Sequence, residues 1–112
     1  MAQEFLSPLE HMLLTAVVLL GNDAYGMAIF EKAQELGKPY KVKVPYGSIY
    51  ATLDRMERAG WLKSWLSAPI AERGGRRRRH YQLQGLGQKL LRDSNAFHND
   101  LGGKLKVAWG MA

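Results

Sequence analysis

Cysteine is absent from the 112-residue chain, which rules out disulfides, thiolate metal sites and cysteine nucleophiles and is compatible with a reducing cytoplasm. Long apolar runs are missing too. The longest, MLLTAVVLL at residues 12–20, falls well short of the roughly 20 residues a membrane span requires. The opening residues, MAQEF, hold a glutamate where a secretory signal would hold lysine or arginine. The chain is therefore expected to be soluble and cytoplasmic, with no membrane partner. Catalytic signatures are also lacking: there is no GxSxG, no HExxH and no phosphate-cradling glycine loop. The carboxylates are scattered, and His11, His80 and His98 lie far apart along the chain. Asp93, His98 and Asp100 fall on different faces of a helix, so they do not gather a metal. No enzyme, no metal site and no cofactor is expected.

What the chain does have is localised positive charge. Residues 61–85 contain Lys63, Arg73, Arg76, Arg77, Arg78 and Arg79 against the single acid Glu72, which is +5 of the whole net charge of +6. A focused cationic patch on an otherwise balanced chain suits a polyanion, nucleic acid first and anionic lipid second. The arginines carry no amphipathic-helix anchor beside them, which argues against the lipid.

The stretch Ser7-Pro8-Leu9-Glu10 opens a first helix with a serine cap, a proline at the first helical position and a glutamate that closes a capping box. Leu9, Met12, Leu13, Ala16, Val17 and Leu20 then recur at helical spacing, with Gly21 as the stop. A second helix is predicted from about Asp23, capped with Asn22, to Gly37. A third is predicted over Tyr46 to Ala59, with Ile49, Leu53 and Met56 inward and Gly60 as its left-handed cap. Its outward face, Gly47, Ser48, Tyr50, Ala51, Asp54, Arg55 and Arg58, is small and rich in hydrogen-bonding groups. Such a face allows close approach to a partner, although a merely solvated helix shares the composition.

The segments WLKSWLS (61–67) and HYQLQ (80–84) suit strands, with Tyr81 and Leu83 pointing one way and His80, Gln82 and Gln84 the other. A Gly-Gly-containing connection joins them, so the arginines belong to the tip and return strand of a hairpin. From about Leu86, a last helix carries the stripe Leu86, Leu90, Phe97, Leu101 and Leu105. Three helices and a hairpin already close a small core, so this stripe is expected to meet its copy in a second chain, joined by Leu9 and Met12 of the first helix. Gly102-Gly103 predicts a kink or fraying near its end.

The resulting fold class is mainly α with a small β-hairpin: a winged helix-turn-helix over residues 1–85, followed by a dimerisation helix over 86–112. The stretches LLTAVVLLGNDAYGMAIFEKAQELG, YGSIYATLDRMERAGWL and RRRRHYQLQGLGQKLL resemble the PadR family of bacterial transcriptional regulators, in its branch with a single C-terminal helix. The resemblance covers residues 9 to about 95. It rests on Tyr25-Gly26, on Gly47-Ser48-Ile49-Tyr50, on the Leu53, Met56-Glu57 and Gly60 ending, and on Arg79 to Leu83. It implies a homodimeric repressor that binds double-stranded DNA and pairs through its C-terminal helix. The family usually caps the last helix with threonine where this chain has Gln84-Gly85, and its wing is less uniformly arginine.

In that reading Arg73 and Arg76 to Arg79 neutralise phosphates, and Lys41 and Lys43 add phosphate contacts. Tyr46, Ser48, Tyr50, Arg55 and Arg58 face the groove, where arginine can bind a guanine edge twice. A two-fold dimer would read a pseudo-palindrome with half-sites about 34 Å apart. The family also suggests an aromatic small-molecule effector, with Phe97 and Trp109 lining a cleft between subunits; the plainer reading makes both ordinary dimer core. The alternative function is a winged-helix module that binds RNA or protein without operator recognition.

Overall fold

In a computed structural model of the chain, residues 5–68 and 77–111 are described. Arg73, Arg76 and the Gly-Gly of the expected hairpin tip lie outside the described residues. The elements in order are α1 (Pro8–Leu20), α2 (Gly26–Gly37), α3 (Tyr46–Arg58), β1 (Leu62–Leu66), β2 (Arg79–Leu83) and α4 (Gly85–Ala108), with single 3₁₀ turns at Gly21–Asp23 and Lys38–Tyr40. This is the expected winged helix-turn-helix followed by a long helix.

Local chemistry sets the helix ends. The Ser7 hydroxyl accepts the Glu10 N–H at 3.1 Å while the Glu10 carboxylate accepts the Ser7 N–H at 2.7 Å, a closed capping box that satisfies two donors an unframed helix would leave open. Gly21, at φ 56°, ends α1. The second helix does not start at Asp23, as its cap residues suggested, but at Gly26. The reason is tertiary: Ala24 and Tyr25 are drawn into an extended pairing along β2, where the Tyr81 N–H donates to the Ala24 carbonyl at 2.8 Å and Tyr25 bridges His80. Backbone committed to that pairing cannot also be helical.

The core lies under α3. Ile49, Leu53 and Met56 are fully buried against Leu13, Leu14, Ile29, Ala33 and Tyr81, each contributing about 1.5–3 kcal/mol by leaving water. β1 and β2 pair antiparallel, with Leu62 opposite Leu83, Ser64 opposite Tyr81 and Trp65 opposite His80. Tyr81 points into the core as its alternation required, and burial, aided by the nearby Asp54 carboxylate, pushes its phenol up to about 12.

α4 departs from expectation twice. It does have core to pack on: Gly87 and Leu90 are buried by the chain's own fold, and the His11 ring meets the Ser94 hydroxyl at 2.9 Å. It also runs straight through Gly102-Gly103 to Ala108. The Lys104 ammonium reaches back to Asp100 at 2.7 Å, one turn earlier, beside the glycines. The helix stops only where Gly110, at φ 71°, lets the Met111 N–H bond the Lys106 carbonyl and its own N–H bond that of Val107, a Schellman closure. The far half of α4 projects, and the radius of gyration is 16.1 Å against about 13 Å for a compact chain of this length. Among the described residues no helix is long and apolar enough to cross a membrane.

Candidate nucleic-acid interface

With about 100° per residue, Gly47, Ala51, Asp54 and Arg58 form the outermost stripe of α3, opposite the buried Ile49 and Met56. All four are exposed. Ser48 and Arg55 flank the stripe on one side, Tyr46 and Tyr50 on the other. Because only Gly47 and Ala51 occupy the centre of this face over its first turns, the stripe can lie close to a partner surface, and its edges carry donors.

Each flank is fixed by its neighbours. Tyr46 sets its ring edge-on against Phe30, with centroids 5.0 Å apart, and lies 6.5 Å from Tyr50. Tyr50 rests on the start of α2, where a Cβ at Gly26 would come within 2.6 Å of its ring and 2.8 Å of its hydroxyl. Gly26 is therefore what lets α2 seat against α3. Arg55 is not simply solvated: its Nη2 donates to Glu10 Oε2 of α1 at 2.9 Å. Burial pushes the Glu10 carboxyl up, but the Ser7 backbone N–H, the Arg55 guanidinium and the Ser7 hydroxyl outweigh it and leave Glu10 below the ordinary carboxylate range. It stays ionised at neutral pH.

The base of the wing is equally organised. Arg79 donates to the Ser64 hydroxyl at 2.9 Å, which in turn donates to the Glu57 carboxylate near the end of α3. The Arg78 guanidinium lies 4.1 Å above the Tyr25 ring, a cation–π contact. Tyr25 packs edge-on against His80, and His80 stacks on Trp65 with planes 13° apart. Ser67 and Arg78 close the ladder, with Ser67 N–H to Arg78 carbonyl at 2.8 Å. Arg77 is exposed beyond that pair. Lys41 and Lys43 are exposed on the loop into α3, which Val44 anchors in the core. Lys41 adopts φ 56° and turns the chain out of the Lys38–Tyr40 turn.

The expected interface residues separate into two groups. Leu9 and Met12 pack against the chain's own core and Leu90 is nearly covered by it, whereas Leu86, Phe97, Leu101 and Leu105 stay about half exposed. Phe97 touches Phe5 at 5.8 Å between centroids, beside a cleft of about 290 Å³ lined by Leu6, Leu90, Ser94 and His98. Trp109, 68% exposed beyond the end of α4, lies twelve positions on from Phe97, about 18 Å along the helix axis, so one chain does not bring the two together. His11 and His98, distant in sequence, do meet, with centroids 5.5 Å apart. Burial and that neighbour hold His11 below its ordinary value. Among the described residues no group of three or more metal-ligating side chains forms.

A winged helix with these landmarks has a family-level counterpart: the model of the PadR-like transcriptional regulators matches residues 15–93. The chain belongs to that family. Solved structures agree in fold. A PadR family transcription regulator from Clostridium difficile R20291 is 20% identical over 92% of this chain and 98% of its own, with a TM-score of 0.70. A PadR-like transcriptional regulator from Bacillus cereus is 23% identical over 90% of each chain, with a TM-score of 0.67. The ORC1 protein of Aeropyrum pernix, solved in complex with DNA, matches 86% of this PadR-like chain with 26% of its own length, at 20% identity and a TM-score of 0.64. No curated protein matches the sequence significantly.

Of the side chains that matter to the PadR-like surface, sequence reading missed two roles. Glu10 was legible only as a cap, and Tyr25 only as a family landmark. Neither the Arg55 pairing nor the Arg78 stack has a local signal, because the partners are 45 and 53 residues apart.

Proposed function

We propose that this PadR-like chain is a sequence-specific, double-stranded-DNA-binding transcriptional regulator, acting as a homodimeric repressor released by a small-molecule effector. The observation that carries the reading is the exposed, small-residue stripe of α3 with Ser48, Tyr50, Arg55 and Arg58 about it, adjoining a wing base whose arginines are braced by Tyr25 and Ser64. The stripe enters the major groove. Arg55 and Arg58 bind guanine edges, Tyr46, Ser48 and Tyr50 bind base or phosphate, and Asp54 repels phosphate and accepts from cytosine. Arg77, Arg78 and Arg79, with Lys41 and Lys43, hold the sugar-phosphate rails.

The half-exposed Leu86, Phe97, Leu101 and Leu105 form a stripe too apolar to stay in water on a projecting helix, and it pairs with its copy. The cleft beside Phe97 is a place for an aromatic effector to bias the spacing of the two recognition helices.

Fluorescence anisotropy on duplex DNA, single-stranded RNA and scrambled duplex tests the reading. Footprinting on DNA upstream of the protein's own coding sequence supplies the candidate operator. The wild type is expected to favour that operator over both competitors. Arg55→Ala should lower the preference among duplexes about tenfold or more while leaving the rest of the preference and residual affinity. Equal binding to RNA and duplex, or unchanged preference in the variant, would favour an RNA- or protein-binding use of the same face.

A further inference from the structure

We infer that Glu10 is a positioning residue for DNA recognition: it holds Arg55 in one orientation on the edge of α3 and so sets which base pair the guanidinium can read. This rests on the proposed DNA-binding role. The two oxygens of the Glu10 carboxylate have different duties. One accepts the Ser7 N–H at 2.7 Å and is fixed by the capping box; the other accepts Arg55 Nη2 at 2.9 Å. The carboxylate thus cannot follow the arginine if it swings.

Exposure is divided just as unequally: the Glu10 side chain is 11% exposed and that of Arg55 57%. A buried, immobile acceptor gripping one N–H of an outward guanidinium leaves the remaining four of its five donors available to a partner. An unheld arginine has several rotamers and must lose that freedom on binding, which costs affinity at the correct site and allows alternative contacts at wrong ones. An arginine fixed from behind loses less freedom and tolerates fewer wrong partners. Lysine cannot substitute, because a single ammonium cannot keep the carboxylate and still present a flat pair of donors.

The test is Glu10→Gln, since glutamine also completes a capping box and should preserve the start of α1. The readout is the ratio of affinities for operator and scrambled duplex. The expected result is a roughly tenfold fall in that ratio, within the range one arginine–guanine contact commands, with no loss of affinity for scrambled DNA. Arg55→Lys, which keeps the charge, should lose the ratio similarly. In an Arg55→Ala background, Glu10→Gln should change nothing further. An unaltered ratio in Glu10→Gln, a raised one, or an equal fall in the Arg55→Ala background would overturn the inference. A wild type with no preference among duplexes would instead sink the DNA-binding reading itself, before any substitution is made.

Discussion

Raising monovalent salt from 50 to 200 mM should weaken the complex with duplex DNA by about 10³ to 10⁵, if the dimer neutralises roughly 6–10 phosphates. The estimate follows from where the cations are. Lys41, Lys43 and Arg77 are exposed with long side chains, and Arg78 and Arg79 are held at the wing base by Tyr25 and Ser64. Each phosphate contact releases a condensed counterion, so the slope of log affinity on log salt counts contacts. Arg77→Ala should lower that slope by about one per subunit and weaken operator and scrambled DNA alike. Arg78→Ala should do the same and also remove the cation from the Tyr25 ring. A slope near zero would mean that the wing does not meet the backbone.

Gly87→Ala should destabilise the protein by about 1–3 kcal/mol or more, and thermal unfolding followed by circular dichroism will show it. A methyl group there would overlap the Trp61 carbonyl oxygen and sit 2.9 Å from Leu83 Cδ1 and 3.0 Å from the Trp61 carbonyl carbon. Backbone cannot step aside as a side chain tip can, and the same Trp61 oxygen already accepts the Gln84 N–H at 2.9 Å. The first turn of α4 would have to lift from the wing, taking Leu90 out of the core. Gly103→Ala is the control. Apart from its chain neighbours and its own helix backbone, nothing lies within 4 Å of a Cβ at that position, so removing glycine from a helix interior should gain about 0.5–1 kcal/mol. Equal effects at the two positions would contradict the packing described for α4.

The features legible in the sequence were those decided within a few residues. Ser7 to Glu10 fixed the start of α1 because a capping box closes over four residues, and the alternation of Tyr81 and Leu83 assigned the faces of β2 because a strand has period two. The α3 face was readable from helical spacing alone. The failures have a common origin in distant partners. Asn22 and Asp23 are good caps, yet α2 starts later because β2, nearly sixty residues on, claims Ala24 and Tyr25. Gly102-Gly103 suggested a break, but a propensity cost of about 1 kcal/mol per glycine does not interrupt a 24-residue helix that continues on both sides. Arg55 looked like a solvent-facing base reader, and nothing near it in sequence pointed to Glu10.

Selection of bound duplexes from a random pool tests the central claim most directly, because it asks the protein for its own site without assuming one. Two copies of α3 presented by a two-fold dimer should enrich a pseudo-palindrome whose half-sites are centred about 34 Å, or 10–10.5 base pairs, apart. A pool that emerges without any enriched sequence, or with one unpaired half-site retained by a monomer, would contradict it.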